Sequence, residues 1–141
     1  MEERSAGAVV FRDGPAGERI YLLLQNAGHW DFPKGGRERG ESEVETVLRE
    51  VGEETGLKDV RLISGFRRVI EYFYRRNGAN VHKEVTYLLA RSAGGEVKIS
   101  KEHQGFAWYS YDAAMKRASY DNSRRILGDA EAFIRTQDGP V

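Results

Sequence analysis

Residues 42–55 form the most clearly delimited helix in the sequence, and they separate two groups of strand-like segments. Ser42 and Glu45 have the spacing of a capping box, in which each residue satisfies a free backbone N–H at the start of a helix. Gly56 marks the helix end, because glycine adopts the left-handed conformation that closes a last turn. The fold must therefore pack a central helix against strands that come from both sides of it in the chain.

The remaining segments predict a mixed sheet with helices packed on it. Apolar or alternating runs bounded by glycine, proline or asparagine indicate strands, and these runs cover residues 6–12, 20–25, 60–64, 66–74, 81–91, 97–99 and 106–108. A charged loop with three glycines is predicted over residues 34–40, and two further helices are predicted near residues 112–118 and 122–136. The expected fold class is α+β, arranged as an α/β/α sandwich.

Two stripes of side chains follow the central helix when its residues are placed at 100° intervals. The apolar stripe, which we expect to face the core, consists of Val44, Val47, Leu48 and Val51. The acidic stripe consists of Glu50, Glu53 and Glu54, with Cβ atoms about 5–6 Å apart. Like charges at this spacing repel, so solvent, nearby arginines or a hard cation must relieve them. Spacing alone favours a solvated acidic face, which is common on helices.

The composition excludes several classes of protein. A chain of 141 residues fits one domain. The 22 basic and 22 acidic side chains give a net charge of zero, which argues against DNA or an anionic membrane as a partner. There is no cysteine, so disulfides and cysteine-based zinc sites are excluded. Residues 1–7 lack a signal-peptide core, and no apolar stretch is long enough for a membrane span, so we expect a cytoplasmic protein.

A long spaced pattern covers the loop and the helix from residue 35 to residue 57. The sequence there fits G-x5-E-x7-R-E-U-x-E-E-x-G-U at every defined position, where U is a bulky apolar residue. This pattern is the Nudix box, and the chain therefore resembles the Nudix hydrolases. The resemblance implies one Nudix domain over residues 1–141, with a mixed sheet between helices and the box as a loop–helix–loop. It also implies hydrolysis of a pyrophosphate linkage in a nucleotide.

The resemblance further implies a metal site on the central helix. Glu50, Glu53 and Glu54 would bind Mg²⁺, with Mn²⁺ as an alternative, and the carbonyl of Gly35 would assist them. Hard oxygen ligands of this kind suit both ions. Either Glu50 or Glu53 would orient or deprotonate the attacking water, and the pattern does not distinguish between them. Glu102 is the best candidate for a further metal ligand or base outside the helix.

Three other residues of the box are expected to act on its structure. Glu41 and Arg49 would form an ion pair that ties the loop to the helix. A bidentate pair of this kind sets geometry as well as charge, so Arg49 belongs with the catalytic residues because it orients the carboxylates. Gly56 would end the helix.

Stretches outside the box resemble the asymmetric diadenosine tetraphosphate hydrolases within the Nudix group. They are residues 29–35, 65–68, 72–83 and 102–104. This resemblance implies substrate contacts from four residues. Lys34 and Lys83 would contribute charge to a polyphosphate, His29 would hydrogen-bond a phosphate, and Tyr72 would stack on adenine. Each residue also has an ordinary interpretation. Lys34 could be a solvated loop lysine and Lys83 an edge-strand lysine. His29 could be a surface histidine, and Tyr72 could be an aromatic side chain that serves only in packing.

Other substrates and another class of function stay open at this point. Gly36 replaces a common histidine of the family, Arg39 replaces a common proline, and Gly35-Gly36 resembles the RNA 5′-pyrophosphohydrolase branch. RNA 5′ ends, ADP-ribose, nucleoside triphosphates and inositol pyrophosphates are therefore alternative substrates. A non-catalytic, nucleotide-sensing Nudix module is the alternative class. The chain is expected to be a monomer or a homodimer.

Overall fold

The computed structural model describes residues 1–138, and the last three residues of the predicted domain lie outside this range. The elements of the described range are β1 (Glu2–Asp13), β2 (Arg19–Asn26), β3 (His29–Asp31), β4 (Lys34–Gly36), α1 (Glu43–Thr55), β5 (Val60–Arg76), β6 (Ala79–Ser92), β7 (Gly105–Ser110), α2 (Tyr111–Arg117) and α3 (Asp121–Asp138). None of these helices is long and apolar enough to cross a membrane.

The strands of the described range form one mixed sheet. Its main path runs β3-β2-β1-β6-β5, while β4 pairs with β1 and β7 pairs with β2. β1 and β6 are parallel over ten residue pairs, from Glu2 opposite His82 to Phe11 opposite Arg91. The other strand pairs are antiparallel. β1 lies in the middle of the sheet, and its continuous apolar run is buried because helices cover both faces.

Successive side chains of a strand point to opposite faces of the sheet, so each face has its own core. On one face, Val9 of β1 packs in a cluster with Leu127 of α3. On the other face, Val10 packs in a cluster with Val47 and Val51 of α1. The sheet is thus enclosed by α1 on one side and by α2 and α3 on the other. The predicted α/β/α sandwich is confirmed.

The buried face of α1 differs from the predicted one. Val44 and Leu48 were expected to face the core, but they are 46% and 45% exposed. The residues of the helix that are buried are Thr46, Val47, Glu50, Val51, Glu54 and Thr55. The helix is rotated so that two carboxylates point into the protein in place of two aliphatic side chains. Burial of charge requires partners. Arg49 of the same helix pairs with Glu50, whereas the partners of Glu54 come from outside the helix.

Three predicted segments also differ from the structure. Residues 34–36 were predicted to be loop but form β4, because they pair with Ser5–Gly7 of β1. The two strands predicted at 60–64 and 66–74 form the single strand β5, with a register irregularity between Leu62 and Arg67. Residues 97–99 form no strand. Instead, the backbone N–H of Lys98 donates to the carbonyl of Thr55, at 2.8 Å, and attaches this segment to the end of α1.

Candidate active site

The two ends of α1 are held by the residues that the sequence indicates. The Ser42 hydroxyl accepts a hydrogen bond from the backbone N–H of Glu45, at 3.1 Å, and the Glu45 carboxylate accepts one from the N–H of Ser42, at 2.9 Å. Gly56 ends the helix with a φ of 70° and donates its N–H to the carbonyl of Gly52. The carboxylates between these ends are therefore carried on a helix whose length and position are well defined.

Arg49 is the centre of the charged network around α1. Its Nε and Nη2 atoms donate to the two carboxylate oxygens of Glu41, at 2.6 and 3.0 Å, in a bidentate pair. Its Nη1 donates to Glu50 at 3.0 Å and to Glu53 at 3.3 Å. Its Nη2 also donates to the carbonyl of Gly36 in β4, at 2.7 Å. One guanidinium thus joins the loop, the strand and two of the three helix carboxylates, which includes the predicted ion pair with Glu41.

The Glu41 carboxylate is held in its charged form by this network. Hydrogen bonds from Arg49 and from the backbone N–H of Glu38 lower its pKa to about 2. A carboxyl whose pKa is lower in the folded protein than in the unfolded chain stabilises the fold at neutral pH. That stabilisation is lost as the pH falls through the interval between the two pKa values. The relevant interval for Glu41 lies between about pH 4.5 and pH 2.

We expect Glu41→Gln to lower the melting temperature at pH 7 by a few degrees, because the variant loses the charge of a bidentate pair. Thermal unfolding followed by circular dichroism at several pH values measures the effect. The difference from wild type should shrink as the pH falls from 4.5 towards 2. Glu38→Gln is the matched control, because it removes the charge of an exposed carboxylate that lies farther from Arg49, at 3.7 Å. A pH-independent difference for Glu41→Gln would contradict this role.

Glu50 lies in a narrow space between α1 and β4. A Cβ atom added to Gly35 would overlap the Glu50 carboxylate, so only glycine allows this side chain to lie against the strand. Glu50 is buried, and desolvation raises its pKa although Arg49 beside it acts in the opposite direction. The Gly35 backbone and the Glu50 carboxylate are therefore in direct proximity. These are two of the groups for which the box predicts a shared ligand.

Glu54 is buried one helical turn further on and is held from the opposite side. Its Oε2 atom accepts a hydrogen bond from the Ser100 hydroxyl at 2.8 Å and lies 3.0 Å from Nδ1 of His103. Ser100 and His103 belong to the segment between β6 and β7, which also carries Glu102. Gln104 pins this segment to the β2–β3 turn, because its side-chain oxygen accepts from the N–H of Ala27 at 2.7 Å.

The helix carboxylates point to different partners. Glu50 and Glu53 are drawn towards Arg49, whereas Glu54 is held by Ser100 and His103. Within residues 1–138, no three His, Asp or Glu side chains converge closely enough to enclose a metal ion. Glu53 is the most accessible of the three carboxylates of the acidic stripe, with its side chain 57% exposed. Glu50, Glu53 and Glu54 nevertheless lie at the i, i+3, i+4 spacing at which side chains are neighbours on a helix surface.

A cavity of about 350 Å³ opens beside Glu54. Four of the predicted site residues line it: His29, Lys34, Glu54 and Glu102. Asp31 also lines it, and its carboxylate lies 3.5 Å from Nζ of Lys34. The lining of the cavity therefore combines carboxylates with a lysine and histidines. This combination suits a polyanion that is held partly by a cation and partly by basic side chains.

A second cavity of about 400 Å³ adjoins the first, and Asp31, Lys34 and Tyr120 line both. Tyr72 and Tyr120 lie along it, and both rings are partly exposed. We call this second cavity the tyrosine groove. Tyr120 also stacks on His29, with ring centroids 5.3 Å apart. Two accessible aromatic rings beside the polar side chains of Asn122 and Ser123 suit a flat, hydrogen-bonding ligand such as a nucleobase.

Lys83 lies outside the residues that line these two cavities. It is directly opposite Tyr72 in the β5–β6 register. Paired residues of adjacent strands project from the same face of a sheet, so Lys83 and Tyr72 share a face. The fold brings four of the predicted residues, His29, Lys34, Tyr72 and Glu102, to these two cavities. Lys83 lies beside the tyrosine groove.

Sequence reasoning missed several residues of this region. Asp31 lies in a stretch that was singled out, but no role was given to it. Its Oδ1 accepts hydrogen bonds from the Ser123 hydroxyl, at 2.7 Å, and from the N–H of Phe32. Tyr120 and Ser100 were also missed, since both reach the site through tertiary contacts. Only the position of Asp31, between His29 and Lys34 on the sequence, offered a local signal.

Comparisons with known proteins agree with this architecture. The NUDIX domain model matches residues 1–129. The bis(5′-nucleosyl)-tetraphosphatase (asymmetrical) of Rattus norvegicus is 34% identical, over 95% of this chain and 97% of that protein. The crystal structure of a C. elegans Ap4A hydrolase binary complex matches with a TM-score of 0.83 at 31% identity, and the match covers 95% of this chain and 98% of that one. An RNA pyrophosphohydrolase of Salmonella paratyphi B is 31% identical over 79% of this chain and 74% of that protein.

A mixed sheet between helices, with the box helix beside an open polar cavity, is the architecture that the NUDIX domain model matches. The chain belongs to the Nudix family. It is a Nudix pyrophosphohydrolase, similar to the asymmetrical Ap4A hydrolases, and a nucleotide substrate is consistent with this family.

Proposed function

We propose that this enzyme hydrolyses diadenosine tetraphosphate to ATP and AMP in a reaction that depends on Mg²⁺. One observation carries the proposal: the cavity beside Glu54 and Glu102 is continuous, through Asp31, Lys34 and Tyr120, with the tyrosine groove. A dinucleoside polyphosphate has the matching layout, since a chain of phosphates ends in a flat base. The similarity of this chain to asymmetrical tetraphosphatases supports the same substrate.

The donor set around α1 fits a divalent cation. Nudix hydrolases generally use such cations, and Mg²⁺ and Mn²⁺ prefer carboxylate and carbonyl oxygens. We assign Glu50, Glu53, Glu54 and the Gly35 carbonyl as ligands, with Glu102 approaching from the opposite wall. The absence of a side chain at Gly35 supports this set, because it lets the Glu50 carboxylate lie against the Gly35 backbone. When bound, the cation neutralises phosphate charge and lowers the pKa of a coordinated water.

Glu53 is the residue that we assign to orient and deprotonate the attacking water. Glu50 is enclosed by Gly35 and Arg49, which leaves little space for a water molecule beside it, so it suits the role of an inner ligand. The Glu53 side chain is exposed and can face a water molecule on the substrate side. Arg49 holds both carboxylates through a single nitrogen atom and thereby positions them. It is a positioning residue in this scheme.

The basic side chains of the cavity would bind the phosphates that do not react. Lys34 and His29 line the same cavity as Glu54. Lys34 is 3.5 Å from Asp31 and would exchange this partner for a phosphate oxygen. Lys83, beside Tyr72 on the same face of the sheet, would contact a distal phosphate. Water then adds to one phosphorus, the bridging oxygen of its neighbour leaves, and the products are ATP and AMP.

The adenosine end would lie in the tyrosine groove. Tyr72 and Tyr120 come from β5 and from the α2–α3 connection, and both line this groove. Each ring is partly exposed, which leaves its face accessible to a base. Stacking of a base on an aromatic side chain contributes about 1–3 kcal/mol. Tyr72 is therefore proposed as the base-stacking residue that the resemblance implied, with Tyr120 as a second ring.

An RNA 5′ end is the second candidate substrate, because the chain is similar to an RNA pyrophosphohydrolase. RNA binding would require a basic surface beyond the cavity. The arginines of β5 are the candidates for such a surface, but three of them form ion pairs within the protein. Arg67 pairs with Glu43, Arg68 with Asp129 and Arg76 with Glu3. This pairing favours a small nucleotide over an RNA chain.

A panel of substrates with Mg²⁺ tests the proposal. The panel consists of diadenosine tetraphosphate, ADP-ribose, the nucleoside triphosphates and a triphosphorylated RNA, with products separated by chromatography. We expect ATP and AMP from diadenosine tetraphosphate, at a higher kcat/KM than for any other substrate. Faster turnover of the triphosphorylated RNA would identify an RNA 5′ end, the second candidate, as the preferred substrate. Absence of turnover on the whole panel would favour a non-catalytic sensing role.

A further inference from the structure

The hydroxyl of Tyr87 is buried without a hydrogen-bond partner. Tyr87 is 1% exposed, and within residues 1–138 its hydroxyl is the one buried side-chain polar atom that no other atom satisfies. Buried polar groups nearly always have a hydrogen-bond partner, because an unpaired group has lost its hydrogen bonds to water without forming new ones in the protein. An orphan of this kind in a natural protein calls for an explanation in terms of a ligand or of function.

Tyr21 shows how the same protein treats a comparable side chain. It is equally buried, and its hydroxyl donates to the Glu131 carboxylate at 2.5 Å. Both tyrosines project from the sheet into the same core cluster. The fold thus supplies a partner for one buried tyrosine hydroxyl and leaves the other without one.

The Tyr87 side chain is close to the cavity beside Glu54. Its ring packs edge-on against Phe32, which lines that cavity, with centroids 5.4 Å apart. Burial raises the pKa of this hydroxyl well above its ordinary value, with further contributions from Asp31, Tyr72 and Tyr120. Those three residues all line the groove. A hydroxyl with a raised pKa keeps its proton and remains a donor.

The sheet register leads to the same location. Lys83, Val85 and Tyr87 are alternate residues of β6 and therefore project from one face. Tyr72 is opposite Lys83, so it projects from that face as well. Tyr87 therefore projects from the face of the sheet that also carries Tyr72 of the tyrosine groove. The rings of Tyr72 and Tyr120 are partly exposed, so a flat ligand can reach them.

We propose that Tyr87 is a specificity-determining residue whose hydroxyl donates a hydrogen bond to the base of the nucleoside held in the tyrosine groove. This inference rests on the proposed function. Stacking on Tyr72 and Tyr120 accepts any aromatic ring, whereas a donor at the base of the groove selects a ring that presents an acceptor, such as a purine nitrogen. A site built to hydrogen-bond its ligand discriminates strongly against an analogue that lacks the partner atom.

The test compares Tyr87→Phe with wild type by calorimetric titration of ATP in the presence of EDTA, where metal-dependent hydrolysis cannot proceed. We expect the Kd for ATP to rise about tenfold, because one hydrogen bond to the base is lost. We also expect the melting temperature to stay unchanged or to rise, since an unpaired hydroxyl is removed from the interior. Tyr21→Phe is the matched control: its melting temperature should fall, and its Kd should equal that of wild type.

Two results would overturn the inference. Equal Kd values for Tyr87→Phe and wild type would show that the hydroxyl makes no contact with the nucleotide. A fall in the melting temperature as large as that of Tyr21→Phe would show that the hydroxyl has a structural partner in the free protein. Failure of the proposed function gives a different pattern, in which wild type itself binds no ATP, and the inference then fails with it.

Discussion

Replacing Glu53 by glutamine is expected to lower kcat for diadenosine tetraphosphate by about 10³-fold, because general-base catalysis and metal activation of water both need the charged oxygen. Glutamine preserves the size of the side chain and removes its charge. The Glu53 side chain is exposed, so the loss cannot come from a disrupted core. The variant also relieves repulsion among the carboxylates of α1. Its melting temperature should therefore remain close to that of wild type.

The measurement is the initial rate of ATP and AMP formation with saturating Mg²⁺, together with thermal unfolding of both proteins. Glu45→Gln is the matched control on the same helix, because glutamine also completes a capping box. Glu45 is exposed and contacts the backbone N–H of Ser42, so this variant should keep its activity. Unchanged turnover in Glu53→Gln would remove Glu53 from the catalytic residues.

Gly35→Ala is expected to reduce activity by about 10²-fold while costing only about 1–2 kcal/mol of stability. The added methyl group would occupy the space of the Glu50 carboxylate. That carboxylate is the end of a flexible side chain, so it can rotate away without moving the backbone. The protein stays folded, but Glu50 leaves the position in which Arg49 and β4 hold it. Activity and stability should thus respond to very different extents.

Gly36→Ala is the control for this prediction. A Cβ atom at Gly36 would have open space around it, and the backbone there does not require glycine. We expect this variant to resemble wild type both in kcat and in its free energy of unfolding from urea denaturation. If the two alanine variants were equally active, the close approach of Gly35 to Glu50 would have no catalytic meaning.

The parts of the fold that were predicted correctly depend on neighbours in sequence. The start of α1 at Ser42 and its end at Gly56 follow from hydrogen bonds between residues at most a turn apart. The pair of Glu41 and Arg49 spans eight positions within the same motif. Capping chemistry is sufficient to predict the two helix ends, whereas the ion pair was implied by the resemblance to the Nudix box.

The rotation of α1 could not be predicted from periodicity, because hydrophobicity assigns Val44 and Leu48 to the core. Glu50 and Glu54 are buried instead, since Arg49, Ser100 and His103 satisfy them. Ser100 and His103 lie about fifty residues further along the chain, and nothing local connects them with the helix. A helix that presents charged groups to a site therefore violates the pattern by which a helix is normally oriented.

The tyrosine groove could be predicted only in part for a similar reason. Tyr72 was identified by resemblance and Tyr87 lies in the strand predicted over residues 81–91, whereas Tyr120 had no local signal. Their meeting depends on how β5, β6 and the α2–α3 connection pack together. The short strand β4 was missed because its pairing with β1 joins segments almost thirty residues apart. Long-range contacts of this kind are a property of the folded chain.

The parallel pairing of β1 with β6 has a consequence for the synthesis of this protein. β1 leaves the ribosome before the other strands of this sheet, yet its longest ladder requires residues 82–91. Until those residues emerge, most of the apolar run from Ala6 to Phe11 has no partner along one edge, which leaves it open to association with other nascent chains. Helix α1 can form as soon as it is made, but the sheet on which it packs is completed late. Conditions that slow translation between β1 and β6 should therefore affect the yield of soluble enzyme more than slowing after residue 91.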